Sequence, residues 1–243
     1  MRLALLHARA QTLELLRLPA YIVPTLAFPT MFYVFFAVPD SDDGSANASM
    51  ALFAGFAILG VALFQFGVEI AAERASPWER YLRTLPARAS ARFGGRIVSA
   101  LGFGLVAAAL VALASLLLTP ARLGLRAWLE LGATLALGAI PFALLGIAIG
   151  YLASPKAALP IANVVYLSLS YAGGLWTTPE KLPAGVGGLS SVLPTRALAD
   201  ALVAAVAAQP WSWRPWSILA AYSALFAAAA LWGYRRDEGQ RYR

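Results

Sequence analysis

The chain of 243 residues is 60% apolar and only 13% charged, with a mean hydropathy of +0.69 and a formal net charge of +7. That balance excludes a disordered, collagen-like or coiled-coil chain and an ordinary soluble domain, and points to a membrane protein. With no cysteine, one histidine (His7) and three methionines, disulfides, thiolate metal sites and most transition-metal chemistry are excluded as well.

Charges sit in short islands between uncharged runs of about 20 residues, the length that crosses about 30 Å of hydrocarbon. Residues 1–18 come first and read as an amphipathic helix on the membrane surface, with Leu3, Leu6, Ala10 and Leu13 on one face and Arg2, Arg9 and Glu14 elsewhere. Uncharged runs then fall at 20–38, 48–68, 97–118, 131–152, 157–175 and 215–233. Each is expected to be helical, because lipid offers the backbone no hydrogen-bond partner. The first run is longer than the apolar core of a signal peptide, and no clear small-x-small cleavage site follows it. The fold expected is therefore an all-α integral membrane protein in one transmembrane domain over 1–243. It has six transmembrane helices, an N-terminal interfacial helix and short external helices between spans five and six.

Within the spans, Pro24, Pro29 and Pro141 are expected to kink their helices. Tyr21, Phe28, Phe32 and Phe35 make an aromatic stripe on the first. Gln65 and Glu69 stand four apart near the cytoplasmic end of the second, where the carboxylate either lines a polar entrance or pairs with Arg74. Ala100, Gly104, Ala108 and Ala112 give the third span a small-residue face, and Gly146 with Gly150 forms GxxxG in the fourth, so both are expected to pack closely. Ser154, Pro155 and Lys156 mark the turn into the fifth. There Asn163, Tyr166 and Ser170 form a polar stripe suited either to a cavity or to interhelical hydrogen bonds of about 0.6 kcal/mol each.

Orientation follows from the basic residues. With the N-terminus inside, fourteen of the 19 lie on the cytoplasmic side: Arg2, Arg9 and Arg17, six arginines between Arg74 and Arg96, Lys156, and Arg235, Arg236, Arg241 and Arg243. The external loop 39–47 carries three aspartates and no base. The positive-inside rule then puts both termini in the cytoplasm and accounts for the excess arginine without nucleic acid. Trp211, Trp213 and Trp216 before the last span, and Trp232 near its end, agree with aromatic belts.

Two loops carry further pattern. In the cytoplasmic segment 72–96, Ser76 and Pro77 can start a short helix on which Trp78, Tyr81, Leu82 and Leu85 share a face. That face is either a protein dock or a contact with lipid headgroups. In the external segment 176–214, Thr178 before Pro179 can open one short helix. Thr195 after Pro194 can open a second that runs to about Ala208, before Pro210. Both are expected at or within the outer leaflet, covered by protein.

The segment ERASPWERYLRTLP and the run GGLWTTPEKLPAGVGGLSSVLP together resemble the ABC-2 type permease family across nearly the whole chain. In the second, Gly173, Gly174, Pro179, Leu182, Pro183 and Pro194 match the family's glycine, LP and P spacing. In the first, Glu73, Glu79, Leu82, Thr84, Leu85 and Pro86 match its cytoplasmic segment, with Ala75, Ser76 and Pro77 standing where glycine and threonine are usual.

The resemblance implies the transmembrane half of an exporter in a bacterial-type plasma membrane. It implies pairing with a second permease, by default identical, and with two copies of an ABC ATP-binding subunit. ATP and Mg would sit on those subunits and no cofactor on this chain. Consistently, Lys156 and Lys181 are the chain's lysines and neither ends a phosphate-binding loop. Ser76, Pro77, Trp78, Glu79, Tyr81 and Leu82 would couple to the ATPase. The first, second and fifth spans would line the route, with Tyr21, Phe28, Phe32, Gln65, Glu69, Asn163, Tyr166 and Ser170 as candidates. The aromatic first span leans toward a hydrophobic or amphipathic cargo such as a drug, antibiotic or lipid. An anchor or signalling subunit that binds an ATPase without transport has the same features, whereas an intramembrane enzyme would need a nucleophile with a base, or a metal-binding pair, which this composition does not supply.

Overall fold

A computed structural model describes residues 23–76, 89–176 and 184–240. Among them there is no strand. A π-helical turn, Val23–Ala27, leads into α1 (Phe28–Phe36), followed by α2 (Ala46–Ala75), α3 (Ala89–Leu118), α4 (Leu125–Leu152) and α5 (Pro155–Ala172). Two short helices, α6 (Ala184–Ser190) and α7 (Pro194–Val206), precede the last, α8 (Trp213–Gln240).

Among the described residues four helices are long and apolar enough to cross a bilayer: α2, α3 from Ser99, α4, and α8 as far as Asp237. The first expected span begins outside the described residues, and its described part is a shorter apolar helix, Thr25–Asp40. The fifth is α5, whose 18 residues include Lys156, Pro160 and Asn163 and fall short of that apolarity. The expected interfacial helix 1–18 lies outside the described residues.

Several boundaries differ from the uncharged runs for local reasons. α4 begins six residues early because Arg126 and Glu130 pair across one turn at 2.7 Å, so a helix holds both charges. α2 continues past Val68 through Glu69, Glu73 and Arg74 and stops where Ser76 turns extended, as a residue before proline must. At the turn into α5, Ser154 caps the helix by accepting from the Ala157 amide at 3.3 Å, and Pro155 takes the first helical position.

The second helix is the hub. Of its most apolar stretch 83% is buried, against 17% for α8, which lies at the periphery. Over Ala62–Val68 it widens into a π-helical stretch, and there it meets the GxxxG of α4. A Cβ on Gly146 would stand 2.5 Å from the Ala62 carbonyl oxygen, and one on Gly150 would stand 2.7 Å from that of Phe66. Only glycine permits that backbone approach. The small-residue face of α3 also packs inward: Ala100, Ala108 and Ala112 are buried, Gly104 faces Ile58 of α2, and Leu101, Leu105 and Leu113 point outward. Side-chain hydrogen bonds add to this packing. Tyr33 donates to Ser115 at 2.8 Å, Gln65 to Ser99 at 3.2 Å, and Asn47 clamps the backbone of Arg122 in both directions.

Before α2, Asp42 and Ser45 bond reciprocally in the manner of a capping box. The Ser45 side chain first, then its amide, holds the Asp42 carboxyl below its ordinary pKa.

At the opposite face α7 is wedged between α2 and α4. Leu202 fills the space that a Cβ on Gly55 would need, 2.5 Å away, and Leu198 does the same at Gly138, 2.4 Å away. The helix thus sits inside protein cover, and it ends at Val206, two residues before the expected stop. Gln209 donates to Ala204 and Ala208 to Ala205, which places Ala208 in the left-handed region at φ 51°.

Gly146→Val is expected to lower stability by about 1–3 kcal/mol through backbone overpacking. Gly132→Ala in the same helix, where nothing lies within 4 Å of the new Cβ, should be neutral in the same thermal-unfolding series in detergent. Ala208→Gly should raise stability by about 1 kcal/mol in that assay, because glycine relieves the left-handed strain.

Candidate functional site

Three groups of residues carry the chemistry of interest. The first is aromatic. Along α1, Phe28, Phe32 and Phe36 stand one turn apart, with ring centroids at 4.3 and 5.1 Å. Phe32 also lies 5.8 Å from Phe56 of α2 and 5.5 Å from Trp176 beyond α5. Beneath them Tyr166 stacks flat on Phe56 at 4.4 Å and meets the edge of Phe64 at 5.5 Å. Trp176 has its indole N–H buried with no hydrogen-bond partner among the described residues. The outer rim of the cluster is exposed at Met31, Phe35 and Phe36.

The expected polar stripe on α5 divides across this cluster. Tyr166 is buried and donates to the Phe56 carbonyl at 3.2 Å, and buried Ser170 donates to the Tyr166 carbonyl at 2.6 Å. Gly60 leaves room for the tyrosine, since a Cβ there would stand 2.9 Å from its hydroxyl. Asn163, by contrast, is exposed and donates back to Leu159 at 3.2 Å. Gln65 is fully buried on Ser99, while Glu69 is half-buried one turn further on. Phe28 and Phe32 are half-buried, and Tyr21 lies outside the described residues.

The second group is the turn after α5. Gly174 takes φ 77°, Leu175 donates to Ser170 at 2.9 Å and Gly174 to Tyr171 at 3.1 Å, which is the Schellman closure of a helix. Gly173 abuts Thr195 at the start of α7, where a Cβ would stand 2.1 Å from its hydroxyl oxygen. Pro194 occupies the first helical position of α7. The glycine pair and Pro194 therefore shape one joint between α5 and α7. Pro179, Leu182 and Pro183 lie outside the described residues.

The third group is at the end of α2 and is the arrangement that local sequence patterns did not signal. Arg74 does not pair with Glu69. It donates twice to Asp237 of α8, at 3.0 and 2.5 Å, and to the carbonyls of Gly150 of α4 and Ala153 just past its end, at 2.7 and 3.4 Å. Its guanidinium also lies 5.5 Å above the Tyr151 ring, which meets Tyr234 edge-on. Asp237 is only 7% exposed. One arginine thus ties together three helices at the point where α2 ends. Ser76 closes α2 there, while Pro77, Trp78, Glu79, Tyr81 and Leu82 lie outside the described residues.

A glycine-packed, almost wholly apolar helical bundle, four of whose described helices are long and apolar enough to cross a bilayer, defines a multi-pass membrane protein. The chain belongs to the ABC-2 type transporter family, whose sequence profile matches residues 2–206. It is also similar to a Bacillus subtilis (strain 168) protein named "Putative transport permease YvfS", with 24% identity over 235 residues, covering 94% of this chain and 96% of that one. The chain is accordingly a transmembrane subunit of an ABC transporter, and family membership implies an ATP-binding partner subunit.

Removing one member of the knot leaves the other charge partly buried. Arg74→Met or Asp237→Asn should each cost about 2 kcal/mol or more. The double variant should cost clearly less than the sum, a non-additivity read from a double-mutant cycle of thermal unfolding in detergent.

Proposed function

We propose that the protein is the permease half of an ATP-driven exporter. In this reading six helices cross the membrane, α1 and α5 among them, with both termini in the cytoplasm of a bacterial-type plasma membrane. Two copies of the chain pair along α1 and α5, and two ATP-binding subunits carry ATP and Mg. The cargo is hydrophobic or amphipathic, a drug, antibiotic or lipid.

The observation that carries the reading is the Arg74 knot. The chain leaves α2 directly into 77–88, where Trp78, Glu79, Tyr81 and Leu82 are proposed to dock on the ATPase. Displacement of that segment acts on α2, and Arg74 passes it to α4 and α8 at once. Because α2 is the buried hub, the whole subunit then moves with it, as a switch between two packed states requires.

Phe28, Phe32 and Trp176, open at Met31, Phe35 and Phe36, supply an aromatic surface for such cargo, with Asn163 exposed on the neighbouring face of α5. Tyr166 and Ser170 are buried within the subunit and support that surface from behind, Gln65 is buried against α3, and Glu69 lies nearer the cytoplasmic end.

Purified from native membranes in mild detergent, the protein should carry an ATPase with it, and Trp78→Ala combined with Tyr81→Ala should remove both the partner and the ATP hydrolysis. Absence of any copurifying ATPase would leave the exporter without a motor. Copurification without ATP-dependent cargo movement in vesicles would identify an anchor instead.

A further inference from the structure

At the end of the bundle remote from Arg74, where α7 meets the start of α8, two cavities of about 260 and 250 Å³ adjoin and share Asp200, Arg214 and Pro215 as walls. A water's share of liquid volume is about 30 Å³, so each cavity has room for a polar group of several non-hydrogen atoms.

The charges there do not cancel. Arg196 donates to Asp200 at 2.8 Å, one turn away on α7, and that pair neutralises itself. Arg214 has no ion-pair partner among the described residues. Beside it the first turn of the 28-residue helix α8 presents amides that the helix does not bond internally, those of Trp213 and Arg214, and the helix dipole adds to their positive potential.

Two further features define a ligand. Thr134 of α4 lines the larger cavity, is 1% exposed, and has a hydroxyl with no hydrogen-bond partner among the described residues. Trp211 and Trp216 stack at 4.7 Å on the same cavity's wall, the side-chain type that settles at headgroup level. Beyond them, Ile218 and exposed Leu225 continue as an apolar face along α8, where acyl chains can lie.

We propose that these cavities bind the phosphate of a membrane phospholipid, with Arg214 and the α8 amides holding the phosphate, the Thr134 hydroxyl donating to the headgroup, and the tryptophan pair fixing its depth. Binding there requires neither ATP nor a motor subunit, so failure of this assignment and failure of the exporter reading are separate results.

The test uses the full chain, delipidated in detergent and offered phosphatidylglycerol, a phosphate-free diglycosyl diacylglycerol, or sodium phosphate, with retention read by native mass spectrometry and stability by thermal unfolding. Phosphatidylglycerol should be retained and should raise Tm, and the glycolipid should do neither. Arg214→Gln should weaken phosphatidylglycerol binding about tenfold. Thr134→Val should also reduce retention without lowering the lipid-free Tm, because its buried hydroxyl bonds nothing in the protein. Equal retention of the glycolipid, or undiminished phosphatidylglycerol binding by Arg214→Gln, overturns the proposal. If millimolar sodium phosphate raises Tm and displaces the lipid, the site belongs to free phosphate and the lipid assignment falls.

Discussion

Everything in this subunit is arranged around the contact between the π-helical stretch of α2 and the two glycines of α4. In hydrocarbon there is no hydrophobic gain from bringing apolar helices together, so close backbone approach and the dispersion it brings must do the work. Ala62 and Phe66 lie four residues apart on α2, and Gly146 and Gly150 lie four apart on α4. The hydrogens that stand where Cβ atoms would be point at the two carbonyl oxygens. Such Cα–H···O contacts add about 0.5–1 kcal/mol each. Both oxygens belong to the π-helical stretch Ala62–Val68, so the closest approach of the two helices falls where α2 departs from regular α geometry.

That central contact separates two ends with different chemistry. Toward the end of α2, fixed charge ties three helices through Arg74, and a partly buried charge resists sliding because breaking its bonds leaves it unsatisfied. Toward α7, the fit is steric: Leu198 and Leu202 enter notches at Gly138 and Gly55, and apolar knobs can leave such notches without stranding a polar group. The bundle is therefore stiffly coupled where the proposed motor acts and more easily repacked at the opposite face.

Much of this was legible in the sequence where the signal is local. Uncharged runs located α2, α3, α4 and α8, and spacing alone identified the inward face of α3 and the GxxxG of α4. The glycine pair before α7 was recognisable, and its reason is now plain: Gly174 adopts a left-handed φ and Gly173 makes room for Thr195. Helix ends were less legible, since Arg126 and Glu130 read as loop charges until their one-turn pairing is known. The union of Arg74 with Asp237 joins residues 163 apart in the chain, and no pattern within a helix encodes it. On α5 the stripe of Asn163, Tyr166 and Ser170 fits either a cavity or interhelical bonds by spacing alone; the three flank the boundary of the buried face, Tyr166 bonding across to α2 and Asn163 lying outside.

The exposed faces argue for different neighbours. On α3 the outward residues are Leu101, Leu105, Val106, Leu113 and Leu117, with no polar atom among their side chains, and on α8 they include Leu225 and Leu231. Such surfaces suit acyl chains. The outward face of α5 combines Leu159, Val164 and Leu167 with Asn163, whose amide keeps one carbonyl oxygen and one N–H beyond its bond to Leu159. Beside it α1 turns Phe35 and Phe36 outward. An amide facing lipid would leave those atoms unmatched, a cost that contact with another polar surface removes. On the proposed reading that surface is the same face of a second copy, related by a twofold axis that brings the two asparagines toward each other.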